Sequence, residues 1–536
     1  MLRRGEILLF VALMFATHLA GQSAGKFVVK GKIVNAVNGH PLAGAQVWIG
    51  TADDFDATQQ MMLSTDDGSF AFTVSEAGKY FMLGEARGFR RQGFEQHGIY
   101  ASAIVVRAGV DSENVIFRLR PDGRILGTIV DDDHQPVPSA TVYLFRTDAS
   151  GGLRQTSLAT QTATDDRGMY RLPHLEPGCY YLVVSAAPWF SNFVQTAAEP
   201  EDSSGTTSQR ALEVVYPTTF YPGVTDQALA TPIALNEGED FTADFTLMPE
   251  PALRVRLNHL NSDPQRQRGA TLEEPIFGQR INTGWQRELS VGDSLEIRNL
   301  APGRYVLTIQ SYDTNREAHS RMLDLVGNAE VDPDQGATVP AISGMVRMEG
   351  GVNSRPQPNV RLWNSRSNEV VEAQVVPNGM MIFNSDWMTS GRYSVFAMSG
   401  QYSTIASLSA TGARVEGQTI EIAAGRPVQL DIVMAQGLSK IEGVAQKDGK
   451  PFPGAMVLLV PENPEVNLPK FRRDESDGDG TFSLLDVLPG RYWVMAVEDG
   501  WDWEWGNPAL LKKRLEHAQE IVVERNRTYR SVVKVE

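Results

Sequence analysis

One motif returns at intervals of about 100 residues, and a repeat constrains a fold strongly because every copy must satisfy the same strand-and-turn plan. In one copy Gly127-Thr128-Ile129-Val130 leads to Pro136-Val137-Pro138-Ser139-Ala140-Thr141-Val142, then Thr164-Asp165-Asp166-Arg167-Gly168-Met169-Tyr170, then Pro177-Gly178-Cys179-Tyr180. The order recurs near the end, with Gly443, Pro451-Phe452-Pro453-Gly454-Ala455, Asp477-Gly478-Asp479-Gly480-Thr481-Phe482 and Pro489-Gly490-Arg491-Tyr492. It recurs near the start, with Gly31, Pro41-Leu42-Ala43-Gly44-Ala45, Thr65-Asp66-Asp67-Gly68-Ser69-Phe70 and Ala77-Gly78-Lys79-Tyr80. The two glycines of each copy, such as Gly168 and Gly178, stand ten residues apart in all three. Weaker copies centre on Pro302-Gly303-Arg304-Tyr305 and on Ser390-Gly391-Arg392-Tyr393, with drift that loop insertions produce.

Within a copy, apolar and polar residues alternate in short runs, the mark of half-buried strands. Asp-Gly and Asn-Gly pairs supply the positive φ of tight hairpins. Some seven short strands in about 100 residues with frequent turns predict a two-sheet sandwich. The fold class expected is therefore all-β, a tandem array of about five seven-stranded β-sandwiches of prealbumin or immunoglobulin type. The boundaries expected are 26–120, 121–250 (with an insert), 251–340 and 341–436 (both degenerate), and 437–536 with a short C-terminal helix capped by Asn507-Pro508. Short linkers such as Arg120-Pro121-Asp122-Gly123 suggest a semi-rigid rod.

The opening glycine, the Pro-x-x-Gly-Ala-x-Val turn and strand, the Thr-Asp-x-x-Gly-x-Phe/Tyr hairpin and the Pro-Gly-x-Tyr strand resemble the carboxypeptidase regulatory-like domain. That family is a transthyretin-like sandwich related to the collagen-adhesin B-type repeats and the starch-binding-like fold. The resemblance is good in the first, second and last copies and partial in the other two. It implies non-catalytic modules that accompany enzymes, receptors or adhesins.

Arg3 and Arg4, an apolar run from Ile7 to Ala16 and the small residues Ala20 to Gly25 have the layout of a secretory signal, so residues 1–24 are expected to be removed. Leu19-Ala20-Gly21-Gln22 is similar to a lipobox but carries Gln22 where the lipidated cysteine would stand. No later run approaches the ~20 apolar residues of a membrane span. The expectation is an exported protein, periplasmic, outer-membrane associated or extracellular.

Charge and chemistry narrow the function. With 49 Lys and Arg against 65 Asp and Glu the formal charge is −16, which argues against nucleic acid as a partner. One cysteine excludes an intramolecular disulfide. His517-Ala518-Gln519-Glu520 lacks the later histidine a zinc peptidase needs. Catalytic residues: none are expected, and the chain is read as non-enzymatic. No cofactor is expected beyond calcium at the Glu475–Asp486 loop, where Glu475, Asp477, Asp479, Gly480 and Asp486 fall at calcium-loop spacings. Trp501, Trp503 and Trp505, at period two, are the ligand-binding candidates, because three indoles on one face of an extended segment would stack on sugar rings. The functional expectation is a structural spacer, adhesion or weak binding module whose partner is a glycan or an envelope protein. The alternatives are a carbohydrate-binding array and an accessory subunit of a peptidase or outer-membrane transporter.

Overall fold

The computed structural model describes residues 27–108, 112–189, 213–262, 267–283, 285–311, 318–338, 340–351, 358–383 and 388–536. The expected signal, residues 1–24, lies outside them.

In the first domain the strand Phe27–Asn35 runs antiparallel to Ser69–Val74 and parallel to Val115–Leu119. A second sheet faces this one: Gln60–Leu63, Gln46–Thr51 and Gly78–Ala86, whose far edge pairs with both Phe89–Gly93 and Ile104–Val106. Alternation decides which side chains enter the core. In Ser69–Val74, Phe70, Phe72 and Val74 point in and their neighbours point out. They meet Val29, Ile33, Val47, Ile49, Met82 and Phe117 between the sheets.

A two-sheet plan recurs in each domain, with a different strand order in the fourth, where Ile342–Met348 pairs within its sheet only with Val428–Met434. In every domain the first strand runs parallel to a strand near the domain's end, through Gly31 and Val115, Ile129 and Phe245, Val255 and Ala329, Gly344 and Leu430, and Gly443 and Ser531. Each domain has its own hydrophobic cluster. The array is thus all-β and built of tandem sandwiches. The first and last domains hold eight strands each rather than seven. The extra ones are short edge additions, such as the two-residue Lys450–Pro451.

Strand crossing explains the opening glycine. A Cβ at Gly31 would lie 1.9 Å from the Val115 carbonyl oxygen, and one at Gly127 1.9 Å from that of Ala243. At Gly443 it would lie 2.2 Å from the Ser531 carbonyl oxygen and 2.4 Å from the Phe482 ring. Gly443→Ala is therefore expected to destabilise the last domain by about 3 kcal/mol, the upper end of overpacking. Calorimetry should show that domain's transition moved down while the others stay.

The hairpin glycine has a separate reason. Gly68, Gly168, Gly379 and Gly480 hold φ between 72° and 86°. Each offers its carbonyl to a first-strand N–H, from Ile33, Ile129, Val346 and Ala445, at 2.7–2.8 Å.

Two further features complete the framework. A tyrosine hydroxyl donates to the carbonyl four residues upstream in all five domains: Tyr80 to Glu76, Tyr180 to Glu176, Tyr305 to Ala301, Tyr393 to Thr389 and Tyr492 to Leu488, at 2.8–3.0 Å. This bond locks the turn before the strand and occurs in the degenerate copies as firmly as in the others. In the three clear copies a hydroxyl also pins the Pro-x-x-Gly/Ser-Ala turn. Ser64, Thr164 and Ser476 accept from the N–H of Ala45, Ala140 and Ala455 and donate to the carbonyls of Leu42, Val137 and Phe452.

The rod expected from short linkers is not what forms, because the array folds back on itself. The strand Met456–Pro461 is buried at every position, so both of its faces are covered. One face lines its own core. The other, Met456, Leu458 and Val460, packs with Trp363, Val370 and Phe396 of the fourth domain and Leu153 of the second. Tyr143, Phe145, Val183 and Phe220 of the second domain similarly meet Ile276 and Phe277 of the third.

Candidate functional site

A cluster of charged and aromatic side chains lies where the first, fourth and last domains meet. Its centre is the strand Arg472–Glu475 and the hairpin that follows it. Pairing with Met456–Pro461 holds this strand, while the short helical turn Leu468–Lys470 brings the chain to it.

Arg472 is 1% exposed. Its guanidinium donates to the carbonyls of Pro469 (3.2 Å), Phe471 (2.8 Å) and Asp486 (2.7 and 3.1 Å), and across the boundary to Ser403 of the fourth domain (2.8 Å). It also lies 4.8 Å from the ring centre of Tyr402, whose hydroxyl donates to the Arg473 carbonyl at 2.5 Å. Arg473 is held between two rings, 4.8 Å from Tyr100 of the first domain and 4.7 Å from Trp501. Burial pushes both guanidiniums below their ordinary range.

The acids beside them face the first domain. Glu475 accepts from the Ser102 hydroxyl at 3.0 Å and lies 3.1 Å from His97 Nδ1. Asp477 pairs with Lys79 and accepts the Ala103 N–H at 2.8 Å. The Gly478 N–H donates back to the Ala103 carbonyl at 3.2 Å. Asp474 accepts from the Ser483 N–H at 2.6 Å. Burial raises the carboxyl of Asp474 to about 7, and nearby Asp477 adds to the rise. Glu475 and Asp477 are also raised by burial, offset in part by His97 and by Lys79 respectively.

The calcium spacing at Glu475–Asp486 is not matched by converging ligands in this geometry. Glu475 turns to His97 and Ser102, Asp477 to Lys79, and Asp479 to its own hairpin at Thr481. Asp486 contributes its carbonyl to Arg472. Among the described residues no three His, Cys, Asp or Glu side chains gather closely enough to hold a metal ion.

The tryptophans do not lie on an extended segment. Gly500–Asp502 forms a short helical turn, and all three indoles pack against one apolar cluster that includes Met456, Leu458 and Leu511. Trp501 stacks on His97, ring centres 4.6 Å apart and planes within 5°. Trp503 lies 4.8 Å from the Arg514 guanidinium, on the helix Pro508–Leu515. Trp505 is 8% exposed, 5.3 Å from the Phe471 ring and directly over Gly152 of the second domain. The Gly506 N–H donates to the Gly152 carbonyl at 2.6 Å, and Arg154 pairs with Glu504.

Sequence reasoning missed the junction itself. Its signal was available in Met456-Val457-Leu458-Leu459-Val460 and Val142-Tyr143-Leu144-Phe145, apolar runs without the alternation of a one-sided strand. A pocket between the second and third domains is lined by Thr218, Glu274, Trp285 and Asn299 among others. Burial raises the Glu274 carboxyl, which accepts from the Thr218 hydroxyl.

These features define a protein class, a folded-back tandem array of β-sandwiches with polar and apolar interdomain joints. Residues 124–211, in the second domain, match the family model of the carboxypeptidase regulatory-like domain. No curated protein matches the chain. Among solved structures it is similar to the Bacillus anthracis TIE protein, at 10% identity over 97% of this chain and 76% of that one, with a TM-score of 0.17. It is also similar to GBS52, the minor pilin of Streptococcus agalactiae (14%, 41% and 96%, 0.20), and to BcpA, the major pilin subunit of Bacillus cereus (8%, 77% and 99%, 0.14). At such scores these likenesses carry no weight beside the strand pairing itself. Among the described residues no helix is long and apolar enough to cross a membrane.

Proposed function

We propose that the chain is an exported, non-enzymatic scaffold of the cell envelope or its surroundings. It would space other components, mediate adhesion, or bind a glycan or envelope protein weakly. One observation carries this reading. The polar side chains that could have formed a reactive site, Lys79, His97, Arg472, Glu475 and Asp477, are engaged in joining the last sandwich to the first and the fourth. The leader-like residues 1–24 support export, and the match to a regulatory-like domain supports a role beside other proteins rather than as a catalyst.

The test is to incubate the pure protein with panels of peptidase and glycosidase substrates and, in parallel, with immobilised glycans. The expected outcome is no turnover on any substrate. Steady hydrolysis that a single substitution abolishes would refute the proposal. A glycan signal lost in Trp503→Ala, with the fold intact, would assign the module to carbohydrate.

A further inference from the structure

We propose that the first domain is a charge-latched arm, and that its contact with the last domain is a reversible clasp covering Arg473 and Trp501. The joints differ in kind. Apolar clusters cross from the second domain into the third and from the fourth into the last. The cluster of the first domain contains only its own residues. Its contact with the last domain is instead mainly polar, beside the rings of His97 and Tyr100 on Trp501 and Arg473: Lys79 on Asp477, Ser102 and His97 on Glu475, Arg107 at 3.9 Å from Asp479, the Ala103 N–H on the Asp477 carboxylate and the Gly478 N–H on the Ala103 carbonyl.

Ionic and hydrogen-bonded contacts exchange readily for water, because their net gain over hydration is small, whereas separating apolar surface from its partner is always unfavourable. The clasp is thus the joint most easily released. Charge complementarity runs one way across it. Lys79, His97 and Arg107 come from the arm, while Glu475, Asp477 and Asp479 come from the last domain. The other end of the arm is its covalent link to the second domain, braced by the Arg90–Glu176 pair. The chain leaves through Arg120, Pro121 and Asp122, where the side chains of Gln92 and Asp122 bond to backbone. Release would expose the face of Trp501 that now stacks on His97, and the Tyr100 side of Arg473.

A charge-reversal cycle tests the clasp in the full chain. Lys79 and Asp477 suit it because the side-chain bonds of Asp477 described above all reach into the first domain. Small-angle scattering should show a larger radius of gyration for Lys79→Asp and for Asp477→Lys, and recovery of the compact value in the double swap. Acrylamide should quench the fluorescence that Trp501→Phe removes more strongly in the open single variants than in the wild type. Calorimetry distinguishes opening from unfolding, since an opened arm retains its domain transitions. Single variants as compact as the wild type, or a double swap as expanded as either single, overturn the proposal.

Discussion

Arg472→Leu should lower the stability of the last domain by about 3 kcal/mol and loosen its joint with the fourth. The guanidinium serves buried carbonyls at Pro469, Phe471 and Asp486, and leaving a buried acceptor unsatisfied costs ~1–3 kcal/mol. Relief of the buried charge offsets part of that loss, so the net falls below the plain sum. For a domain of this size, 1 kcal/mol corresponds to about 4–8 °C, which puts the expected drop above ~10 °C. The same substitution removes the bond to Ser403 and the contact with Tyr402, so the fourth and last domains should melt less cooperatively. Arg491→Leu is the control. Its pair with Glu520 is half exposed on both sides, and such pairs contribute at most about 1 kcal/mol. Calorimetry showing equal shifts for the two variants would contradict the role assigned to Arg472.

Trp505→Ala should be the most damaging change among the three tryptophans, at about 3–5 kcal/mol. The indole fills the cluster formed by Phe471, Leu468 and Leu511 and closes against Gly152, so its removal leaves a cavity at a joint between two domains. Trp505→Phe separates packing from hydrogen bonding. The indole N–H is buried without an acceptor, so the phenylalanine variant should recover most of the loss. Trp503→Ala should cost less, because Trp503 is only partly buried against this cluster. A Trp505→Ala chain with an unshifted melting profile would show that the cluster does not depend on this residue.

Much of each single domain was legible because its determinants are local. Gly480 needs a positive φ, Tyr492 reaches a carbonyl only four residues away, and Ser69–Val74 alternates in its own sequence. Where those local marks fade, as in the third domain, the reading faded too. The strand Leu253–Leu257 contains no glycine and its register shifts between Leu253 and Val255, yet Tyr305 still bonds to Ala301.

The candidate site was far less legible. Spacing singled out Trp501, Trp503 and Trp505 but assumed an extended backbone, and the turn at Gly500–Asp502 sends them to three different neighbours. Spacing also grouped Glu475 with Asp477 and Asp479, yet each finds its own basic partner, His97, Lys79 and Arg107, in a domain nearly 400 residues earlier. The sandwich, its repetition and its turns are written in the order of residues, since they follow from backbone conformation and periodicity over a few positions. The meeting of Glu475 with His97 and the folding back of the array emerge only in three dimensions. Those outcomes depend on complementarity between outer faces far apart in the chain, and no local pattern encodes which face will find which.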